Sequence, residues 1–233
     1  MKKILFVCHG NICRSPMAEF VMKDMVRRAG LEQEFEIASA ATSAEELGNP
    51  VYPPVRRLLT AHGIDCSGKT ARRLRQDDYD RWDIIIGMDE ENMVNMRRLF
   101  GGDREGKLHN MLAFDGRPDE AVADPWYTRD FERTWQDVTA GCAGLLEQLT
   151  GTVLLDFSDC TGVKALYREL RKKMDWQDWY GGNLDALHDI LTGLPHKGRR
   201  FVFTMPAESA DGETADYAAR IRQVFIDAGK EVL

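Results

Sequence analysis

The sequence predicts an α/β protein: a three-layer parallel sheet with helices on both faces, followed by a small α/β domain with a short parallel sheet. Three observations predict this. Apolar, strand-like runs alternate with segments of helical periodicity through the first 150 residues. One of these runs, WDIIIGM, is continuously apolar, as a strand covered on both faces should be. After a helix ending at Thr150-Gly151 the alternation restarts with TGTVLLDF. This sets a boundary near Gly151 and two domains, 1–150 and 151–233, with no long flexible linker between them.

The elements follow in order. KKILFV is the first strand, and PMAEFVMKDMVRRAG the first helix, with Ala18, Val21, Met22, Met25, Val26 and Ala29 on its apolar face. FEIASAA is the second strand. VYPPVRRLLTAHGI is a helix with Gly63 as its C-cap. WDIIIGM is followed by DEENMVNMRRLFG, a helix that opens with acids and closes with arginines, as the helix dipole favours. KLHNMLAF is a further strand, residues 115–130 a loop, and FERTWQDVTAGCAGLLEQL a closing helix. In the second domain TGTVLLDF is a strand and Val163 to Met174 a helix. The aromatic stretch DWQDWYGGN is irregular, Leu184 to Leu191 is helical, RRFVFTMP is a strand and GETADYAARIRQVFIDAG a helix. The chain ends on EVL, so its last strand is expected to be truncated.

Composition narrows the class. Over 233 residues the formal net charge is −7, whereas nucleic-acid and membrane-surface proteins show a basic excess. No run approaches the roughly 20 apolar residues of a membrane helix. MKKILFVCHG has too short an apolar run for a leader, with Arg14 interrupting it. Five cysteines is an odd count without scaffold spacing, and the separation of Cys8 from Cys13 is not that of a zinc knuckle. Cys66, Cys142 and Cys160 read as buried small side chains. A reducing, cytoplasmic compartment is expected.

The chemistry concentrates in VCHGNICRS, between the first strand and the first helix. Such a turn lies at the carboxyl edge of a parallel sheet, where ligands of these folds bind. Backbone N–H groups at the start of a helix lack internal partners, and Gly10 is expected to let the loop curl so that they converge into an anion-binding nest. Arg14 adds a planar fork of donors suited to two phosphate oxygens. Cys8 lies at the bottom of this positive bowl, where a thiolate nucleophile is favoured. Ser15 can donate to the sulfur, and Asn11 can pin the loop by hydrogen bonds to the backbone.

CHGNICRS resembles the signature of the low-molecular-weight protein tyrosine phosphatases. The likeness continues through ATSAEELGNPVYPPVRRLLTAHGI, KTARRL, YDRWDIIIGMDEENM and ADPWY, in the family's order, over about residues 1–150. It implies a phosphotyrosine phosphatase I-like fold and hydrolysis of phosphotyrosine in proteins through a cysteinyl-phosphate, without metal or organic cofactor. The phosphate-binding turn is then His9, Gly10, Asn11, Ile12, Cys13, Arg14 and Ser15, and the catalytic groups are Cys8, Arg14 and Asp124. Chemistry also asks for an acid such as Asp124, because a phenoxide leaves poorly unless protonated. Pro125 stiffens its loop. The resemblance makes Trp126 and Tyr127 the walls of the slot for the aromatic ring, although Trp126 also fits ordinary loop packing. It makes Cys13 a trap for an oxidised Cys8, or else a packed helix-start residue. Ile12 on the lip, where some relatives that act on phosphoarginine carry threonine, favours phosphotyrosine. His9 reads as exposed and incidental. The family's loops differ here near Ala41, Glu45 and Tyr52, which bears on substrate preference.

Residues 151–233 resemble barstar, the inhibitor of the ribonuclease barnase, chiefly through DWYGGNLDALHDILTG and IRQVFIDA. The resemblance implies a surface of Trp179, Asp185, Asp189 and Asp227 that meets a barnase-like ribonuclease, with no direct nucleic-acid or membrane partner. His188 and Gly182 depart from the pattern. Two rivals stand beside these expectations. One is an arsenate reductase of the same fold, which needs a relay of further cysteines. The other is an antitoxin-type binding protein whose phosphatase half is secondary.

Overall fold

Four parallel strands form the sheet of the first unit: β1 (Lys2–Cys8), β2 (Phe35–Ala41), β3 (Ile84–Gly87) and β4 (Leu108–Asn110), in the order β2-β1-β3-β4. The structure, a computed structural model, describes residues 1–174, 182–193, 199–206 and 211–233. These divide into two compact units, Met1–Leu146 and Glu147–Leu233. β1 pairs with β2 from Lys2↔Phe35 to Cys8↔Ala41, and with β3 from Ile4↔Ile84 to Val7↔Gly87. The chain leaves β1 toward β2 on one side and returns to β3 on the other. The carboxyl end of β1, which is Cys8, is therefore the point where the strand order reverses and ligands of such sheets bind.

The helices of this unit are α1 (Arg14–Arg28), α2 (Pro53–Ala61), α3 (Asp78–Arg81), α4 (Glu90–Phe100), α5 (Pro125–Thr128) and α6 (Phe131–Thr150), whose last turn crosses into the second unit. Right-handed crossovers in this strand order put α1 and α4 on opposite faces. Leu5, Val7 and Ile85 pack with Met93, Met96 and Phe100 of α4 and with Tyr79 and Trp82. α1 buries Met17, Ala18, Val21, Met22 and Met25. It meets α6, where the Cys142 thiol reaches the Ala18 carbonyl at 3.6 Å. Covered on both faces, Ile4, Leu5, Phe6 and Val7 are fully buried, which explains their unbroken apolar run.

The expected strand KLHNMLAF is cut short. Only Leu108–Asn110 pairs, and Met111–Asp115 turn into a 3-10 segment. The reason is close packing on α6. A Cβ at Gly144 would lie 1.9 Å from the Phe114 carbonyl oxygen, so the backbone of 111–115 rests directly on a glycine face. The segment expected to be loop from 115 to 130 holds the short helix α5, started by Pro125 with Asp124 as its N-cap.

In the second unit, β5 (Thr152–Asp156), β6 (Arg200–Thr204) and β7 (Glu231–Val232) form a parallel sheet in that order. α7 (Val163–Met174), α8 (Leu184–Gly193) and α9 (Gly212–Asp227) cover it. Its core joins Val153, Leu155 and Phe201 to Leu166, Leu170, Leu187, Ile221 and Phe225.

One buried carboxylate braces the loop beside the site. Asp78 accepts from the Arg72 guanidinium at 2.9 and 3.1 Å, from the Arg75 N–H at 2.8 Å and from the Trp82 indole at 3.0 Å. Burial pushes its pKa up, but these donors outweigh burial and hold it below the ordinary carboxylate value. Asp78→Ala strands the indole and the Arg75 N–H, and is expected to lower unfolding stability by about 2 kcal/mol at neutral pH. Because the folded pKa is lowered, this stabilisation is complete above the unfolded value of about 3.9 and fades as pH falls through the folded value. Denaturant titrations of both proteins at several pH values should show a constant gap above about pH 5 that narrows in acid.

Candidate active site

The turn between β1 and α1 is shaped by a left-handed residue that is not glycine. Asn11 has φ +57°, whereas Gly10 lies outside the left-handed region. The curl expected at Gly10 therefore falls at Asn11, the residue type that best tolerates this backbone after glycine. Gly10 serves by its missing side chain, since a Cβ there would lie 3.1 Å from Glu46 Cγ.

The Asn11 side chain is buried and bonded on three sides. Its Nδ2 donates to Ser15 Oγ at 2.9 Å and to Ser39 Oγ at 2.7 Å, and its Oδ1 accepts from the Arg72 N–H at 3.1 Å. Ser39 in turn donates a hydrogen bond to Glu19 Oε2 at 2.6 Å. Glu19 is paired with Lys23 at 2.5 Å and Lys69 at 2.7 Å. Burial raises the Glu19 pKa, but the two lysines outweigh it and keep the carboxylate charged. Beyond Asn11 the chain of bonds ends on Cys8. Ser15 Oγ is 3.0 Å from Cys8 Sγ, and the Asn11 N–H points at the same sulfur from 3.3 Å. With one Ser15 lone pair taken by Asn11, its hydroxyl proton can face a thiolate at 3.0 Å in competition with the Ala40 carbonyl at 3.5 Å.

Cys8 opens into a hollow of about 340 Å³ lined by His9, Gly10, Ile12, Cys13, Arg14, Glu45, Glu46, Asp89, Glu91, Asp124, Trp126 and Tyr127. Of the turn expected to bind phosphate, Asn11 and Ser15 do not line it; they are buried behind the loop. No side chain caps the first turn of α1, which leaves its N–H groups for an anion. Arg14 is 4% exposed and clamped between two carboxylates, Asp89 at 2.5 Å and Asp124 at 2.6 Å. Burial lowers its pKa, but Cys8, Asp124 and Asp89 outweigh burial and hold the guanidinium above its ordinary value.

Asp124 is set by its neighbours on both sides. Ala123 donates to Asp137 at 3.3 Å and accepts from Thr134 at 2.8 Å, both on α6, and Asp137 also anchors Arg117. Asp124 itself accepts from the Trp126 N–H at 2.9 Å. Trp126, 49% exposed, meets Tyr52 edge to face at 6.0 Å, while Tyr127 is 83% exposed on the opening. Burial, reinforced by Cys8 and Asp124, pushes the Cys13 thiol up to about 12. All five cysteines are free thiols, and neither Cys66 nor Cys142 lines the hollow. His9 is exposed, 3.1 Å from Glu45.

Glu46, Glu91 and Asp89 line the hollow although the sequence singled out none of them, and of these Asp89 holds Arg14. It was legible only as part of an acidic helix opening. It does cap α4, accepting from the Asn92 N–H at 2.7 Å, but its other oxygen holds Arg14. Its position just past the carboxyl end of β3 was the available signal.

In the second unit Asp185 and Asp189 are exposed on α8, four residues apart and so on one face. Asp227 is exposed at the end of α9 and accepts from Gln223 at 2.8 Å. Trp179 lies outside the described residues.

Residues 3–153 match the family model for low molecular weight phosphotyrosine protein phosphatase, and residues 150–232 match that for Barstar (barnase inhibitor). The chain is 37% identical over 150 residues to the low molecular weight protein-tyrosine-phosphatase YfkJ of Bacillus subtilis, covering 64% of this chain and 96% of that protein. The crystal structure of YfkJ superposes with a TM-score of 0.62 over 64% of this chain and 94% of that one. The low molecular weight phosphotyrosine protein phosphatase of Gallus gallus is 36% identical over 152 residues, 64% of this chain and 96% of that protein. SP-PTP of Streptococcus pyogenes is 40% identical with a TM-score of 0.58, over 64% of this chain and 93% of that one. Its fold, its strand-to-helix turn and these matches make the chain a member of the low molecular weight phosphotyrosine protein phosphatase family, with a barstar-like domain following.

Proposed function

We propose that residues 1–150 hydrolyse phosphotyrosine in proteins through a cysteinyl-phosphate. The observation that carries the reading is the meeting of Cys8, Arg14 and Asp124 in one hollow, with donors already aimed at the sulfur. The phosphoryl oxygens take the Arg14 guanidinium and the loop N–H groups in place of Asp124, while Asp89 keeps its side of the guanidinium. The Cys8 thiolate attacks phosphorus, the bond from phosphorus to the phenolic oxygen breaks, and Asp124 gives that oxygen a proton. The same carboxylate then takes a proton from the water that attacks the cysteinyl-phosphate. The bond from sulfur to phosphorus breaks, and Ser15 donates to the departing thiolate. Ile12, Trp126 and Tyr127 form the rim against the aromatic ring. An arsenate reductase relay gains no support, since Cys66 and Cys142 lie away from the hollow.

We assign the barstar-like residues 151–233 to protein binding through Asp185, Asp189, Asp227 and Trp179, with a barnase-like ribonuclease as the partner chemistry. The five free thiols support a reducing, cytoplasmic setting.

Hydrolysis of a series of aryl phosphates tests the phosphatase reading. Cys8→Ser is expected to abolish turnover. Asp124→Ala should lose about 10²–10⁴-fold in kcat on poor leaving groups and progressively less on good ones. Equal loss across the series would remove Asp124 from the acid role. Asp89→Asn should raise KM several-fold with an unchanged leaving-group slope, because it disturbs only the hold on Arg14. For the second domain, the full chain is expected to inhibit a barnase-like ribonuclease, and Asp185→Ala with Asp189→Ala to weaken that inhibition. Undiminished nuclease activity at high chain concentration would remove the assignment.

A further inference from the structure

A second hollow, of about 410 Å³, adjoins the first, and His9 lines both. Its floor is tied to the catalytic turn: the Thr42 N–H bonds the Cys8 carbonyl at 2.9 Å, and the Ser43 N–H the His9 carbonyl at 3.0 Å. One wall is Arg73, whose backbone bridges Ala41, flanked by bonds from Ala41 to Arg72 and from Leu74 to Ala41. The other wall is the outer face of α4, with Asn95 and Arg98.

The charges of the two hollows are opposite. The catalytic hollow is rimmed by Glu45, Glu46 and Glu91, whereas no acidic residue lines the second. Most arginines of this unit are paired, as Arg72 is with Asp78 and Arg97 with Glu90. Arg73 and Arg98 are exposed, and among the described residues neither guanidinium has a carboxylate or hydrogen-bond partner. The Thr42 hydroxyl beside them is buried without a partner. Two unpaired forks of donors facing one groove are a site for an anionic group with several oxygens.

We propose that this groove binds an anionic side chain of the substrate, a carboxylate or a second phosphoryl group, carried beside the residue being dephosphorylated. The inference rests on the phosphatase reading and adds a substrate class to it: phosphotyrosine segments with an acidic or phosphorylated neighbour on the side of His9. The carboxylates that line the first hollow disfavour the same charge there, so the groove also sets the direction in which a peptide lies.

The test uses the full chain and phosphotyrosine peptides of one length, with alanine, glutamate or phosphoserine placed on either side of the phosphotyrosine. Wild type is expected to favour glutamate on one side by about fivefold in kcat/KM, and phosphoserine by more, with the preference shrinking as salt is raised. Arg73→Ala with Arg98→Ala should remove the preference, and Arg73→Glu with Arg98→Glu should invert it. Turnover of a small aryl phosphate should stay within about twofold in all three proteins, since neither arginine touches the catalytic hollow. Turnover of the aryl phosphate without any peptide preference, or a preference that survives both double variants, overturns the proposal. If sulfate stimulates aryl phosphate turnover in wild type but not in the variants, while peptides show no preference, the anion is a free one and the proposal also falls. Absence of aryl phosphate turnover in wild type would instead remove the phosphatase reading.

Discussion

The site depends on a single side chain in an awkward backbone. Asn11 turns left-handed between Cys8 and Arg14, which brings its own N–H back onto the sulfur. A non-glycine residue holds that conformation only when its surroundings compensate for it. Here three bonds do so: to Ser15, to Ser39 and from the Arg72 backbone. The amide cannot be inverted without setting its NH₂ against the Arg72 N–H, so the network also fixes its orientation. Behind it, Ser39 and Glu19 extend the hold into α1 and, through Lys69, into the segment before Arg72. A turn clamped in this way presents its donors before any ligand arrives, so little ordering cost remains at the moment of reaction.

The hollow satisfies its own cation. Asp89 and Asp124 occupy both ends of the Arg14 fork, and each is roughly as close as a phosphate oxygen would be. The two partners are held differently. Asp89 is a helix cap, fixed by the Asn92 N–H, and can keep one side of the guanidinium as an orienting contact. Asp124 starts a single-turn helix on a loop whose preceding residue is fastened to α6. In the proposed hydrolysis, an entering phosphoryl group takes Arg14 from Asp124 and leaves that carboxyl beside the ester oxygen. On that reading the contact that holds Arg14 also places the acid.

Much of this was readable in the sequence. The strands β1 and β2, the helices α1, α4 and α6, and the cysteine and arginine of the hollow follow from apolar runs, helical spacing and one dense motif, whereas its Asp124 was implied only by the family resemblance through ADPWY. What escaped has a common physical cause. Ser39, Glu19, Lys69 and Arg72 reach Asn11 or its partners across 20 to 61 positions of sequence, and no local pattern encodes such pairs. Asp89 was hidden because a helix cap and an arginine partner call for the same residue type. The strand expected through Phe114 failed because Gly144 of α6, more than two dozen residues later, offers its backbone a closer seat than the sheet does.

The distribution of charge adds a last step. A chain with net charge −7 and an active hollow ringed by carboxylates repels the dianion it is built to receive. Attraction is local: a buried guanidinium and the N–H groups of one turn, effective only within a few ångströms because solvent screens the rest. Small anions therefore gain little from long-range steering, and selectivity must come from what surrounds the phosphoryl group. The glutamates of the first hollow and the unpaired arginines of the second give that surround a polarity that a free phosphate cannot sense and a peptide can.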